Sequence, residues 1–532
     1  MKSLSILDCT LRDGGFVNTW DFGVQSLFDL MHKLVLSNLD FIELGYLRDN
    51  APSIPGLTQF PSPAQVIPLI DGLDTSSKFC CMIDYGHFDL KNLPRASDFP
   101  IHGLRITFKK SDLDAAVEYI SCVKQLGYTI YAQPVSLTEY SDSELSSMLL
   151  RLAELNPAAV AIVDTYGLMM PPDVQQYFEL FDRYLPSNIK VGLHCHNNLQ
   201  MGLANAIHLS SLSSERDCII DTSCFGMGKG AGNPNTELLM KYYNQFYDNK
   251  YNLSPVLDII DNYLEKIYFK SPWGYSLTTC LNSTFNVHPN YVKYLLEKKL
   301  YSIEDIEHLL SKIPLKSKLT YSPDIITTIE DNWKHQDVAT SSNDHLQRAF
   351  SDSQILVVGP GQSTRNLDSQ YFRNRRSDNP NEIIISTNFV PSFVEVDFVI
   401  VTNGIRMSQI SSYLQHNPHY RPSIIKLSFI NKDTLPSELA IFDLDSDLFE
   451  CDDSTIAYNS LLVLLNLLSR SSPSIISLLG FDGFKADHDY ISDAMQLRDN
   501  IHYINSSIDE QLAHFSTILN LEFLTPSLYS YD

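Results

Sequence analysis

Through residues 1–225, short apolar runs alternate with longer stretches in which apolar residues recur every three or four positions. The runs lie at 5–9, 41–44, 79–83, 103–108, 129–133, 160–163, 190–194 and 218–220, and they predict buried strands. The stretches 24–37, 113–126, 143–155 and 173–184 carry helical spacing. Strands alternating with helices imply a parallel sheet, and eight such units in roughly 250 residues imply a closed (β/α)8 TIM barrel. An open doubly wound sheet is the alternative.

Beyond residue 235 the pattern changes. Residues 256–267, 291–300, 303–310 and 325–333 read as helices, and a polar linker follows near 337–345. Strand-like runs then return at 354–358, 382–386, 397–401, 424–429 and 474–479, the first ending in a turn with Gly359 and Gly361. This predicts a Rossmann-like α/β domain in which those glycines approach a phosphate at a helix N-terminus. The full Gly-x-Gly-x-x-Gly fingerprint is missing, so a nicotinamide cofactor is not expected. The division is therefore a barrel over 1–245, a helical extension or lid over 246–345 and the α/β domain over 350–532.

Composition narrows the partners. The formal charge of −24 over 532 residues argues against nucleic acid and anionic membranes, because neutralising phosphates requires an excess of Lys and Arg. Nine scattered cysteines read as reduced thiols. No apolar run approaches the ~20 residues that span a bilayer, and the N-terminus lacks a secretory pattern. A soluble, cytoplasmic protein is expected, and a homo-oligomer.

In a barrel of this kind, function collects at the carboxyl ends of the strands. His194 and His196 share one face of a strand, so their imidazoles converge on one small volume and are able to hold one cation. Arg12-Asp13-Gly14-Gly15 follows the first strand, Glu43 to Tyr46 ends the second, Asp84 the third, and Asp164-Thr165-Tyr166 the sixth. The eighth runs into a glycine-rich loop, Asp221 to Asn233. Taken alone, Asp13 reads as a turn or helix-cap residue, Thr165 as a buried strand hydroxyl and Cys224 as a packing residue.

Together the Leu-Asp-Cys-Thr-Leu-Arg-Asp-Gly start, the Gly-x-His-x-His-Asn strand and the Gly-Lys-Gly-Ala-Gly-Asn loop resemble the DRE-TIM metallolyase superfamily over about residues 1–300. Its members include 4-hydroxy-2-oxovalerate aldolase, 3-hydroxy-3-methylglutaryl-CoA lyase and isopropylmalate synthase. The resemblance implies Asp13, His194, His196 and Asn233 as ligands of a divalent metal ion, Mn2+ first, with Co2+, Zn2+ or Mg2+ as alternatives. It implies Arg12 as the stabiliser of an enolate oxygen, Thr165 and Tyr166 at the substrate, Glu43 behind Arg12, and a lid from 270–275 through Tyr291. Cys224 matches a loop cysteine of the hydroxymethylglutaryl lyases.

One position departs from the aldolase pattern. Where those enzymes carry a histidine three residues after the metal aspartate, this chain has Phe16, which moves no proton. Tyr46, Asp84, Tyr166 and His288 are the candidate replacements, and His288 is the one expected to be catalytic. The leading expectation is an aldolase joining or parting a 2-oxo acid such as pyruvate and an aldehyde. The alternatives are an acyl-CoA-dependent Claisen synthase or lyase, and a non-catalytic barrel-based binding protein. Asn459-Ser460 and residues 479–484 resemble Rossmann-like modules of bacterial surface-glycan enzymes, which implies a nucleotide or sugar ligand for the C-terminal domain; a structural or docking role is the alternative.

Overall fold

A computed structural model describes residues 3–212, 214–334, 341–367, 369–432, 435–445, 453, 455–485 and 500–530. The chain divides into two compact units, Met1–Asn286 and Val287–Asp532, so the helical stretch expected over 246–345 is shared between them. Of the linker expected near 337–345, residues 337–340 lie outside the described residues, and Ser341–Phe350 is helical. Among the described residues no helix is long and apolar enough to cross a membrane.

In the first unit eight parallel strands close on themselves: β1 (Leu4–Asp8), β2 (Phe41–Leu47), β3 (Lys78–Asp84), β4 (Gly103–Phe108), β5 (Thr129–Pro134), β6 (Ala159–Asp164), β7 (Lys190–Cys195) and β8 (Cys218–Thr222). Neighbours pair in the order β1-β8-β7-β6-β5-β4-β3-β2, and Leu7 opposite Phe41 closes β1 onto β2. The barrel has no open edge, which settles the choice against an open sheet. A two-residue strand, Gln59–Phe60, lies beside β2.

Every residue of β1, β2, β6 and β8 is buried. One face of each strand looks into the barrel and the other onto the helices, so both are dry and the runs read as continuously apolar. Outside, Leu27, Leu30, Met31 and Leu34 of helix Val24–Leu36 pack with Ile6, Ile42 and Leu44. Helix Asp142–Glu154 starts at a capping box, in which Ser141 N–H donates to the Glu144 carboxylate at 2.8 Å and Glu144 N–H to the Ser141 hydroxyl, contributing about 1 kcal/mol. Inside, Leu7, Cys9, Phe41, Cys80, Tyr131, Ala159 and Ile219 form a separate apolar layer. Alternation along β2, β4 and β8 then dictates what comes two residues nearer the carboxyl end: Glu43, Arg105 and Asp221, joined by ion pairs. The barrel interior thus passes from an apolar floor to a charged layer, and the candidate site sits above that layer.

Among the described residues the second unit holds seven parallel strands: β9 (Gln354–Val358), β10 (Ile383–Thr387), β11 (Phe398–Val401), β12 (Ser423–Leu427), β13 (Ile441–Leu444), β14 (Ile475–Leu479) and β15 (Leu521–Phe523), in the order β13-β12-β11-β10-β9-β14-β15. The order reverses between β9 and β14. β13 and β15 escape the sequence pattern because they are edge strands, half-buried along most of their length. The glycines after β9 also let two turns meet. Gly361 N–H donates to the Gly480 carbonyl at 2.8 Å, and a Cβ on Gly359 would stand 2.6 Å from that oxygen. The turns after β9 and β14 therefore pack backbone to backbone, and a short 3-10 turn, Gln362–Asn366, follows the first.

Candidate active site

The mouth of the barrel, at the carboxyl ends of its strands, holds a cavity of about 120 Å³ that Asp13, His194 and His196 line together. Asp13 arrives on a single helical turn, Thr10–Asp13, whose Arg12 and Asp13 N–H groups both donate to the Cys9 carbonyl at 3.0 and 2.8 Å. His194 lies near the end of β7 and His196 one residue past it, both facing the cavity, with ring centroids 5.2 Å apart. One ligand atom from each of the three residues lies within 4.8 Å of the others, and all three are buried.

The protonation pattern follows from what each group touches. His194 Nδ1 stands 2.9 Å from the Asp221 carboxylate and His196 Nδ1 3.1 Å from the Gly232 carbonyl, so each ring directs an Nδ1–H to that oxygen and leaves Nε2 as the atom that can meet a cation. Burial pushes His196 down to about 4, outweighing the pull of Asp13, so the ring is neutral at pH 7. For Asp13 burial opposes ionisation, but Arg12, the two imidazoles and the Asn233 amide together hold the carboxyl well below the usual range. Asn233 is wholly buried; its Nδ2 donates to Asp13 while its Oδ1 has no hydrogen-bond partner. Two imidazoles, an ionised carboxylate and an orphaned amide oxygen fit a divalent cation. The loop leaves room for this set only because residue 228 is glycine: a Cβ there would lie 2.6 Å from Asp13 Oδ2 and closer still to Asn233 Nδ2.

Arg12 is fixed from two sides. Its Nε donates to Glu43 Oε2 at 2.8 Å and its Nη1 to Asp13 Oδ1 at 2.6 Å, while Nη2 is buried without a partner and the residue lines the cavity. Glu43 itself is wholly buried and absent from the cavity lining; Arg105 Nη1 pairs with the same Oε2 at 2.9 Å, and Arg105 Nη2 with Asp221. A continuous chain of charge thus runs from Arg12 through Glu43, Arg105 and Asp221 to His194. The sequence pattern did not single out Arg105 or Asp221. Their signal is a charged residue at an inward strand position, legible only once the barrel register is known.

The other expected residues separate. Thr165 lines the cavity and its Oγ1 accepts Ser136 N–H at 2.8 Å. Tyr166 is absent from the lining, and its carbonyl accepts the Ser283 hydroxyl at 3.0 Å. His288 lies in the second unit, where its Nδ1 accepts Asn290 N–H at the start of helix Pro289–Glu297. Cys224 is also absent from the lining: its thiol donates to Asp8 at 3.3 Å, and burial pushes it well above the ordinary thiol range. Asp84 faces the cavity but is occupied by Arg48 and by the Thr107 hydroxyl. Tyr46 also lines it, beneath Arg48 at 4.4 Å from its ring centroid and edge-on to Phe16 at 6.5 Å. Burial is the main cause that raises the Tyr46 hydroxyl above the ordinary phenol range. Lys229, unremarked in the sequence pattern, reaches over the Phe16 ring at 5.2 Å on the rim of the same cavity. Within the segment expected as a lid, Trp273 is buried, its indole donating to the Phe225 carbonyl at 3.0 Å.

Comparison with known proteins bears on this unit. Residues 3–262 match the family model described as HMGL-like. The 4-hydroxy-2-oxovalerate aldolase 4 of Rhodococcus opacus (strain B4) is 25% identical over 264 residues, 49% of this chain and 74% of its own length. The 4-hydroxy-2-oxovalerate aldolase of Geobacillus genomosp. 3 is 26% identical over 242 residues, 45% of this chain and 70% of its own. Among solved structures, a Bacillus subtilis HMG-CoA lyase is 18% identical and aligns with 51% of this chain and 96% of its own, with a TM-score of 0.43.

Proposed function

With residues 3–262 forming an HMGL-like domain, we propose that this protein is a divalent-metal-dependent aldolase, a carbon–carbon lyase acting between a 2-oxo acid such as pyruvate and an aldehyde. The names of its relatives suggest the substrate class, a 4-hydroxy-2-oxo acid. The observation that carries the proposal is Arg12 Nη2, a buried cationic donor without a partner, on a residue whose Nη1 is bound to Asp13. An unused guanidinium N–H in a dry site is costly unless a developing negative charge answers it.

Asp13, His194, His196 and Asn233 would hold the cation, for which Mn2+ is the first choice because mixed nitrogen and oxygen donors suit it better than Mg2+. The chemistry a divalent ion supplies there is Lewis-acid polarisation of the keto and carboxylate oxygens of the 2-oxo acid. Arg12 Nη2 donates to the enolate oxygen as charge develops on it. Thr165 has its lone pair taken by Ser136 N–H, which turns the hydroxyl proton toward the substrate carboxylate. Tyr46 is the proton carrier best placed to replace the histidine that Phe16 displaces. Its raised pKa keeps the phenol protonated, suited to giving its proton to the alkoxide as the carbon–carbon bond forms. Glu43 holds the Arg12 guanidinium in place and touches no reacting atom. We place this chemistry in the cytoplasm, a reading supported by eight free cysteines among the described residues.

The test is exchange of the C3 hydrogens of pyruvate for deuterium, followed by NMR with Mn2+ added. The proposal expects exchange by the full chain and its loss in Arg12→Ala. A protein that retains Mn2+ but catalyses no exchange overturns it.

A further inference from the structure

The second unit contains a far larger cavity, about 870 Å³, inside the range of small-molecule sites. It opens at the carboxyl ends of β9, β10 and β14, where the strand order reverses, and in open parallel sheets that crevice is where ligands bind. Its wall is built from turns and helix starts. Helix Gly404–His416 and helix Ser460–Ser469 both begin on it, 13 and 10 residues long, with Asn403 and Asn459 as N-caps. The Asn403 side chain accepts Arg406 N–H, and that of Asn459 accepts Leu461 and Leu462 N–H, which leaves the Ile405 and Ser460 N–H groups outside the caps. Both residues line the cavity, so two positive helix ends face one space.

A further observation points to a ligand. Thr387 ends β10, lines the cavity and is 99% buried by virtue of 1% exposure, yet its hydroxyl joins none of the hydrogen bonds among the described residues. The acidic groups on the wall are already engaged. Glu330 accepts from Lys298, Tyr294 and Tyr301 and pairs with Lys334, Asp482 accepts the Ser363 N–H and hydroxyl, and Glu297 pairs with Lys293 at 3.6 Å. Arg406 and Lys299 add positive charge, while Phe481 and Phe484 offer ring faces. We propose that this cavity binds a phosphate-bearing small molecule with a planar ring, a nucleoside phosphate. The phosphate rests between the two helix starts, within reach of the Thr387 hydroxyl and Arg406, and the base lies against the aromatic wall.

The experiment titrates the full chain, by calorimetry, with nucleoside mono- and diphosphates of all four bases, a hexose phosphate and inorganic phosphate. At least one nucleoside phosphate is expected to bind with a Kd below about 100 μM, and inorganic phosphate at least ~10-fold more weakly. Thr387→Val and Arg406→Gln are each expected to weaken that binding by about 10-fold or more, while pyruvate exchange in the first unit and the unfolding midpoint of the free protein stay unchanged. Three results overturn the proposal: no nucleoside phosphate bound at ~1 mM, binding no tighter than that of inorganic phosphate or the hexose phosphate, or binding that neither variant weakens. None of these depends on whether the barrel is an aldolase.

Discussion

His194 Nδ1 lies 2.9 Å from the carboxylate of Asp221, and the same Asp221 oxygen is paired with Arg105 in the interior of the barrel. The carboxylate accepts from Nδ1 and so orients the ring, leaving Nε2 as the nitrogen that can meet a cation. Arg105 keeps Asp221 ionised against the cost of burial, and its carboxyl titrates below the ordinary range.

Asp221→Asn is therefore expected to leave the fold in place but lower affinity for Mn2+ by roughly 10- to 100-fold. The paramagnetic signal of free Mn2+ during titration of the variant reads this directly. Unchanged affinity would mean that the carboxylate does not set the tautomer.

Replacing Arg12 separates metal from chemistry. Arg12→Ala should retain Mn2+ within a few-fold yet lose about 10² to 10³ in turnover of a 4-hydroxy-2-oxo acid. Arg12→Lys should recover little, because a single ammonium cannot reach Glu43, Asp13 and the substrate at once. Metal content and steady-state rates on the same preparation decide it.

Gly228→Ala adds one methyl group where the loop has no space, 2.6 Å from Asp13 Oδ2. The expected outcome is a folded protein that copurifies with less than about a tenth of the wild-type metal, since the displaced groups are the donors themselves. Elemental analysis after purification, alongside circular dichroism, checks it.

Tyr46→Phe removes only a hydroxyl. It should keep metal and fold, and cost about 10² in turnover, the usual range for a proton carrier. A rate within two-fold of wild type, judged against that range, would assign the proton to another group on the cavity wall.

Acid sensitivity of the second unit should centre on Glu330. Although burial opposes its ionisation, Lys298, Tyr294, Tyr301 and Lys334 hold the carboxyl down to about 2, below its ordinary value of 4.5. Its folded-state pKa is depressed, so the stabilisation is complete above about pH 4.5 and is lost as pH falls toward 2. Glu330→Gln should cost roughly 2 kcal/mol at pH 7 and flatten the fall of the unfolding midpoint between those two pH values. Thermal unfolding across the acid range measures both.

Much of the candidate site could be read before any coordinates. Arg12 and Asp13 are neighbours, and His194 and His196 are two apart on a strand, so local geometry already puts each pair together. Tyr166, beside Thr165, was expected at the substrate, but lining a cavity depends on which way each residue leaves its strand end. His288 reads in the sequence as one of several candidate proton carriers, and its ring accepts Asn290 N–H at the start of a helix of the second unit. Glu43 was legible as an acid at a strand end, but its role behind Arg12 depends on Arg105, which draws on the same carboxylate oxygen.

From its order of residues alone, this chain determined the alternation of strand and helix and the shared face of the two histidines, because these depend on periodicity over a few residues, whereas the closing of the sheet into a barrel rests on the distant pairing of the first strand with the second and the eighth. Only the tertiary structure decided that Arg105 reaches Asp221 across 116 positions, that Arg12 keeps one donor unspent, and that the crevice of the second sheet is wide and lined by two helix starts. Those outcomes depend on the register in which distant strands pair. Register is fixed by the packing of both faces of each strand at once, and no local stretch of sequence carries that information.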